Sequence, residues 1–230
     1  MNNIQKIYLL LYSEYGPQGW WPLTPEGETK TKHHHGKPRH EYHRFEIMLG
    51  AILTQNTAWN NVEKALEQLH KNRLVEHDKI LKTKHERLGA LIRSAGYYNQ
   101  KAERLAIISQ FVKTHTIKGL MKKDTAALRS MLLGVKGIGP ETADSIVLYA
   151  FEKPSFVIDA YTKRIFSRIG MCDADVDYHE LRKMFMDSVK KDVETYKEYH
   201  ALIVEHAKQH CRTKPECKGC PISRLCLRRL

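Results

Sequence analysis

A pair of glycines at the start of an apolar helix constrains this chain more than any other feature. Residues 135–140 read Val-Lys-Gly-Ile-Gly-Pro, and two glycines in such a run suit a tight turn whose bare backbone must approach something closely. Pro140 fits the first position of a helix because it has no N–H to leave unpaired. The residues that follow recur at helical spacing and predict a helix that begins where the turn ends: Thr142, Ala143, Ile146, Val147 and Ala150.

This turn and its flanking helices, at about residues 133–150, predict a helical hairpin that offers backbone N–H groups at a helix N-terminus. Such groups bind phosphate without reading base sequence. The alternative is an ordinary glycine-containing turn, because short glycine motifs also occur by chance. The formal net charge of +12, from 38 Lys and Arg against 26 Asp and Glu, favours a polyanionic partner and thus the phosphate interpretation.

Helical periodicity recurs along the chain, and no stretch shows sustained alternation of apolar and polar residues. We predict a first amphipathic helix that ends at Gly16 and a buried helix face from Phe45 to Leu53. Asp177 and Glu180 suit the N-cap and its partner in a later helix, and a last long helix leads to Cys211. The chain is therefore predicted to be all-α, with 230 residues sufficient for one or two domains.

The sequence also limits where the protein is expected to act. No run of 18 apolar residues is present, which argues against a membrane span. The N-terminus lacks the basic region, apolar core and cleavage site of a secretion signal. We expect a monomeric cytoplasmic protein associated with the nucleoid.

Residues 26–42 are polar and basic, and they predict a loop between helical parts of the chain. Three adjacent histidines, His33-His34-His35, lie within it. They could bind a metal or contact DNA. No other set of ligands is spaced around them, so a solvated loop is the simpler interpretation.

Four of the five cysteines lie close together near the C-terminus: Cys211, Cys217, Cys220 and Cys226. The grouping favours an all-thiolate metal site over a disulfide framework. Structural zinc accepts four thiolates, and so does a [4Fe–4S] cluster, so spacing alone leaves both open. Lys214 and Lys218 lie between these cysteines and could press on phosphates. Cys172 is best interpreted as a small buried thiol.

Three features in this order resemble the helix-hairpin-helix DNA glycosylase superfamily of the endonuclease III type: the glycine turn, Asp159 placed 18 residues after Glu141, and the cysteine quartet. The resemblance covers Phe45 to Cys226. It implies a six-helix domain at 43–155 and a second helical domain at 1–25 and 156–230, with the loop 26–42 between them. It also implies a [4Fe–4S] cluster at 211–226, although the first cysteine spacer is one residue shorter than is common in that family.

Within this superfamily, the chain is most similar to the endonuclease-III-like 3-methyladenine DNA glycosylases. The matching segments are Trp20-Trp21-Pro22, residues 53–57 with Trp59, residues 98–102 and a glutamate at position 141. The resemblance implies that the three tryptophans stack on a flipped purine. It also implies that Gln55 fills the gap left in the duplex and that the Tyr97–Tyr98 turn is the opposing wedge. The remaining DNA contacts are assigned to Lys101, Lys136, Gly137 and Gly139.

The chemistry expected of such a site depends on two carboxylates. Bifunctional members carry a lysine where this chain has Glu141, and glutamate cannot form an imine with the sugar. We therefore expect water to remove the base, without strand cleavage. Asp159 would stabilise the oxocarbenium sugar and orient or deprotonate that water, and it could also cap the following helix. An N-alkylated purine is cationic, and each indole face attracts it by roughly 0.5–2 kcal/mol.

Two other functions remain open on the sequence. One is a glycosylase for a different lesion, such as mismatched thymine or uracil or an oxidised base. The other is a non-catalytic module that binds bent or damaged duplex DNA. Release of free base from methylated DNA separates the module from the enzymes, and a tryptophan-lined pocket favours a cationic purine among the lesions.

Overall fold

The computed structural model of the protein describes residues 1–33 and 36–229, so two of the three adjacent histidines lie outside the described residues. Within those ranges the chain forms twelve α-helices: α1 Asn3–Tyr15, α2 Glu41–Leu53, α3 Trp59–Lys71, α4 His77–Lys82, α5 His85–Leu91, α6 Tyr98–His115, α7 Ile117–Met121, α8 Thr125–Leu133, α9 Pro140–Ser145, α10 Ala160–Ile169, α11 Tyr178–Ser188 and α12 Val193–Gln209. The all-α prediction is confirmed. The one β pairing among these residues joins Leu23 to Lys32.

The described residues also contain three short helical segments that are not α-helical. The chain forms 3₁₀ turns at Arg93–Ala95 and Ser223–Leu225, and α9 continues directly into a π-helical segment, Ile146–Ala150. In the described part of the chain, no helix combines the length and apolar content that a membrane crossing requires.

The chain divides into two compact units. The hairpin unit is Trp21–Lys153, and it includes the predicted loop 26–42. The cysteine unit combines Met1–Trp20 with Pro154–Leu230. The division falls between the two adjacent tryptophans, so each tryptophan belongs to a different unit.

In the hairpin unit, α2 is the central helix. Every residue from Phe45 to Leu53 is buried, and α2 packs on α3, α6, α7 and α9. A helix that is apolar on most sides is stable only when other elements surround it. In the sequence, the apolar residues of α2 follow shortly after the polar loop 26–42.

In the cysteine unit, α12 packs on α1 and α10. The buried face of α1 consists of Ile4, Ile7 and Leu11, and the Tyr199 hydroxyl of α12 donates a hydrogen bond to the Ile4 carbonyl at 2.7 Å. Asp177 caps α11 by accepting hydrogen bonds from the N–H groups of the first turn. The predicted first helix and the predicted cap are therefore both present.

Candidate active site

The two glycines of the hairpin loop, residues 134–139, differ in what they require. Gly137 has φ +87°, and a Cβ there would lie 2.8 Å from the Arg104 side chain. Gly139 has an ordinary extended backbone at φ −90°, and no atom lies within 4 Å of where its Cβ would stand. Gly137 is thus required by the fold, whereas Gly139 leaves the backbone open to an approaching ligand.

Lys136 lies at the exposed tip of this loop. Its Nζ is 2.7 Å from Glu103 Oε1, and its side chain is 79% exposed. An exposed ion pair of this kind contributes little to stability, so Lys136 can exchange the carboxylate for another anion at small cost.

Gln55, in the loop between α2 and α3, is bound to the hairpin. Its Nε2 donates to the Gly137 carbonyl at 3.0 Å and to Thr142 Oγ1 at 2.9 Å. Arg104 donates to its Oε1. The side chain predicted to fill a gap in DNA must leave these partners to do so. Arg104 itself was missed in the sequence, where it is one of many basic residues.

Lys101 was predicted to contact DNA, but the structure buries it. Only 1% of its surface is exposed. Its Nζ donates to the Leu53 carbonyl at 2.8 Å, the Ala95 carbonyl at 2.7 Å and Thr57 Oγ1 at 2.6 Å. Burial, with a smaller contribution from Arg104, lowers the pKa of Lys101 to about 8. Because that value is above neutral, the group is still largely an ammonium with three donors at pH 7.

Tyr97, rather than Tyr98, is the projecting residue of the predicted wedge. Tyr97 is 70% exposed and has a left-handed backbone, φ +45°. The Tyr98 ring packs so close to Gly89 that a Cβ there would lie 3.3 Å from it. The Arg93 guanidinium lies 5.8 Å from the centroid of the same ring. Tyr98 therefore supports the turn, and Tyr97 forms its tip.

Two of the three predicted pocket tryptophans meet in the hairpin unit. Trp21 and Trp59 are perpendicular with ring centroids 5.3 Å apart, and Tyr149 lies 5.2 Å from Trp21. Trp21 is 6% exposed and packs on Gly50, where a Cβ would lie 3.1 Å from the indole. Tyr149 and Gly50 were not identified from the sequence, because nothing in an apolar helical run marks them.

A buried carboxylate fixes the segment that carries Trp21. Glu46 of α2 is fully buried, and its Oε1 accepts hydrogen bonds from the Thr24 N–H and hydroxyl at 3.0 and 2.8 Å. Its Oε2 is 3.1 Å from His70 Nε2. The two hydrogen bonds from Thr24 tie the segment that follows Trp21 to α2. Trp20, in the cysteine unit, has Lys208 Nζ 6.0 Å from its ring centroid.

Asp159 is the N-cap of α10 and a nearly buried carboxylate. Its Oδ1 accepts hydrogen bonds from the Thr162 N–H at 2.7 Å and the Thr162 hydroxyl at 2.8 Å. Its Oδ2 lies 3.6 Å from His200 Nε2, and 13% of its side chain is exposed. Burial acts to raise the pKa of Asp159, but His200 and the two Thr162 donors outweigh it and lower the pKa below its ordinary value. The group is therefore ionised at neutral pH.

Glu141 lies in the first turn of α9 and is exposed. Its carbonyl accepts a hydrogen bond from the Ser145 hydroxyl at 2.8 Å, which is an ordinary helical contact. A carboxylate in the first turn of a helix is favourable by itself, so the position of Glu141 does not by itself require a catalytic role.

The four C-terminal cysteines, Cys211, Cys217, Cys220 and Cys226, line one cavity, and none forms a disulfide. Burial raises the pKa of the Cys220 thiol, and the three other thiols add to this effect. A cation would offset the cost of ionising four adjacent thiols. Still, the described residues contain no group of three or more His, Cys, Asp or Glu side chains arranged to hold a metal ion.

Two arginines of α10 hold the backbone of the cysteine loop. Arg164 Nε donates to the Cys211 carbonyl at 3.0 Å. Arg168 donates to the Arg212 carbonyl at 2.6 Å and to the Thr213 carbonyl at 2.9 Å. These contacts link the C-terminal half of the helix that Asp159 begins to the loop that carries the exposed lysines 214 and 218.

The chain is similar in sequence and in fold to known DNA repair proteins. The family model for HhH-GPD superfamily base excision DNA repair proteins matches residues 49–191. An inferred DNA repair glycosylase of Methanocaldococcus jannaschii is 46% identical over 228 residues, 97% of this chain and 96% of that protein. The solved structure of H. pylori 3-methyladenine DNA glycosylase bound to 1,N6-ethenoadenine is 28% identical, with a TM-score of 0.70 over 90% of this chain and 98% of that chain. An endonuclease III trapped as a covalent intermediate with DNA shares the fold, with a TM-score of 0.76 at 24% identity over 99% of this chain and 97% of that chain.

Proposed function

This chain belongs to the HhH-GPD superfamily of base excision DNA repair proteins, and on that premise we propose that it is a monofunctional glycosylase for an alkylated purine such as 3-methyladenine. A base inside a duplex cannot be reached, so the damaged nucleotide is rotated out before the N-glycosidic bond is hydrolysed. The observation that carries the proposal is the state of Asp159, which is nearly buried, held by Thr162 and His200, and ionised.

Asp159 supplies the negative charge that the reaction needs. As the bond to the base lengthens, positive charge develops on the sugar, and a fixed carboxylate stabilises it without reorganisation. One oxygen accepts from the Thr162 donors. The second, which lies 3.6 Å from His200 Nε2, is the one we assign to face the sugar or to orient the attacking water. Alkylation has already made the purine a good leaving group, so a strong general acid is not required.

The aromatic cluster supports a purine substrate. Trp21, Trp59 and Tyr149 present edges and faces to one another, and electron-rich rings attract an electron-poor, cationic base. The related H. pylori enzyme is a 3-methyladenine glycosylase bound to 1,N6-ethenoadenine, a modified adenine. Trp20 remains proposed as a third ring that stacks on the base.

The glutamate at position 141 supports hydrolysis without strand cleavage. A lyase step needs an amine that forms an imine with the sugar, and a carboxylate cannot provide it. Lys136 is the nearest lysine in the hairpin sequence, and in the structure it is an exposed residue paired with Glu103. We assign Lys136, Gly137 and Gly139 to the DNA backbone, together with Lys214 and Lys218.

The four cysteines would hold a [4Fe–4S] cluster, with one thiolate for each iron. Support comes from the shared cavity and the all-sulfur donor set. Within the described part of the chain after Gln209, Ile222 is the only buried apolar side chain. A loop with so little apolar burial gains stability from a bound group that cross-links it, and that is the role we assign to the cluster.

A panel of DNA substrates tests the substrate class. Duplexes that contain 3-methyladenine, 7-methylguanine, uracil or an oxidised base are incubated with the protein, and the free base is measured. We expect the alkylated purines to be released faster than uracil or the oxidised base. Faster release of uracil or the oxidised base would replace the substrate assignment, and no release from any duplex would favour a damaged-DNA-binding module.

Iron analysis tests the cluster separately. Purified protein should be straw-brown and contain about four irons per chain, and Cys220→Ser should lose the colour and lower the melting temperature. Cys172→Ser, outside the quartet, is the matched control and should keep both. A colourless protein with one zinc would contradict the proposal.

A further inference from the structure

Lys101 is a buried cation at the junction of two loops. We propose that Lys101 is a positioning residue that braces the Gln55 loop, residues 54–58, against the Tyr97 turn, residues 95–97, so that the backbones of both enter the duplex in one fixed relation to each other. The inference rests on the proposed function, because it takes these two loops as the parts that open the DNA.

The hydrogen bonds of Lys101 connect these two segments. Leu53 is the last residue of α2, Thr57 lies in the Gln55 loop, and Ala95 begins the Tyr97 turn; all three accept from Nζ at 2.6–2.8 Å. The Thr57 hydroxyl also donates to the Ala95 carbonyl at 2.5 Å. An ammonium has three donors, and here each is used once, so the group joins the segments without a donor left over.

Two of the acceptors are carbonyls at helix ends. Leu53 ends α2, and Ala95 ends the 3₁₀ turn. Carbonyls at the C-terminus of a helix have no partner within it and carry partial negative charge. A lysine on a third element, α6, satisfies both. The three acceptors are uncharged, so this is not an ion pair, and a buried ammonium is costly unless such contacts compensate it.

Both braced segments hold a strained residue. Asn56 has φ +52°, and Tyr97 has φ +45°. Non-glycine residues adopt this left-handed region only when their surroundings fix it, and such strain concentrates where a site must be preformed. Thr57 directly follows Asn56, and Ala95 lies two residues before Tyr97, so the Nζ contacts are close in the chain to both strained residues. The backbone N–H of Lys101 donates to the Tyr97 carbonyl at 2.9 Å, as an ordinary hydrogen bond of the first helical turn.

The brace explains why the tip can be exposed and still be defined. Tyr97 has 70% of its surface exposed, so packing of its own side chain does not hold the turn. A side chain that must separate stacked bases cannot pack on its own protein beforehand. The backbone of the turn must therefore be held by other contacts. Lys101, in the first turn of α6, supplies one of them through the Ala95 carbonyl. Arginine is a poor substitute, because its planar guanidinium cannot direct three donors from a single point.

The test compares Lys101→Met with Lys113→Met, a matched change on the same helix, where Lys113 is half-exposed. Binding is measured on three duplexes: undamaged, with a tetrahydrofuran abasic analogue in a paired site, and with the same analogue in a bulge. We expect Lys101→Met to bind the paired analogue at least tenfold more weakly than the parent, and to bind the undamaged and bulged duplexes within threefold of it. Lys113→Met should match the parent on all three.

If Lys101→Met weakens binding to the paired and bulged duplexes equally, or does not weaken it, the bracing role is wrong. Where Lys101→Met melts far below the parent, Thr57→Val replaces it, with Thr57→Ser as the variant that restores the hydroxyl and should restore binding to the paired analogue. Neither measurement requires base release. If the parent protein releases no base, the proposed function fails, and the comparison of paired with bulged duplex still decides the brace.

Discussion

Helices α9 and α10 begin in opposite ways, one in each unit. The residue before α9 is Gly139, which offers no side chain and leaves open space beside an extended backbone. The residue before α10 is Asp159, whose carboxylate folds back onto Thr162 and faces His200. A helix start without a capping side chain leaves backbone N–H groups that an anion from outside can bind. At the start of α10, the Thr162 donors hold the Asp159 carboxylate in one orientation and favour its ionised form.

This difference assigns separate tasks to the two starts. The Gly139 end suits the repeated, sequence-independent binding of phosphate. The Asp159 end suits a single electrostatic step, because the carboxylate is shielded from water and its pKa is lowered. Variants that change phosphate binding without base release, or base release without phosphate binding, would support this division of tasks. Variants that change both together would contradict it.

The largest effect is expected at Asp159. Asp159→Asn keeps the shape and an acceptor for the Thr162 N–H but removes the charge, so single-turnover base release should fall by roughly 100–1000-fold. Affinity for lesion DNA, measured by fluorescence anisotropy, should stay near that of the parent. A similar loss of affinity would mean that the carboxylate serves binding and that the two helix starts do not differ in task.

A smaller effect is expected at Gly139, the residue before α9. A Cβ at position 139 would have no protein atom within 4 Å, so we expect Gly139→Val to keep the melting temperature while affinity for damaged and undamaged duplex falls about tenfold, the loss of roughly one charge-assisted hydrogen bond. Its log–log salt slope should stay near the parent's, because no cationic side chain is removed. Gly134→Ala is the control, since its Cβ would make ordinary contact with the Met131 carbonyl. Loss of lesion preference alone would show that Gly139 does not face phosphate.

Much of this contrast could be predicted from the sequence, because both helix starts are local features. A Gly-x-Gly-Pro run and an aspartate three residues before a threonine, Thr162, each act through neighbours in the chain. The family resemblance stated from these residues is confirmed. His200 could not be paired with Asp159 in advance, because 41 residues separate them and only the packing of α10 on α12 brings them together.

Lys101 shows where sequence reasoning failed and where it had a usable signal. The family resemblance assigned it to DNA, yet Lys101 lies four residues before Leu105 and shares the buried face of α6. Its helical spacing from Leu105 is the signal in the sequence that points to this face. Arg104 and Arg168 are different, because their partners, the Gln55 side chain and the Arg212 carbonyl, lie in distant loops that no periodicity specifies.

A pH profile tests what holds the carboxylate ionised. The active form of Asp159 is the anion, so activity should fall as the pH drops through its folded-state pKa, which lies below the ordinary value. His200→Leu removes the neighbouring donor and should move this acid limb of kcat/KM to higher pH, with a modest loss at neutral pH. His200→Gln, which keeps a donor, should move it less. An unchanged limb in both variants would remove His200 from the positioning role.

The smallest effect is expected at Glu141, in the first turn of α9. Its side chain is exposed and is assigned no developing charge, so Glu141→Gln should change base release by about threefold at most, in keeping with substitutions at exposed sites. Neither the parent nor this variant should be trapped on DNA by borohydride, because no amine lies at that position. Glu141→Lys supplies one, and a trapped complex only in this variant would show that the position faces the sugar. A trapped complex from the parent would mean that another amine, such as Lys136 or Lys163, reaches the sugar, and the proposal of hydrolysis without a lyase step would then be wrong.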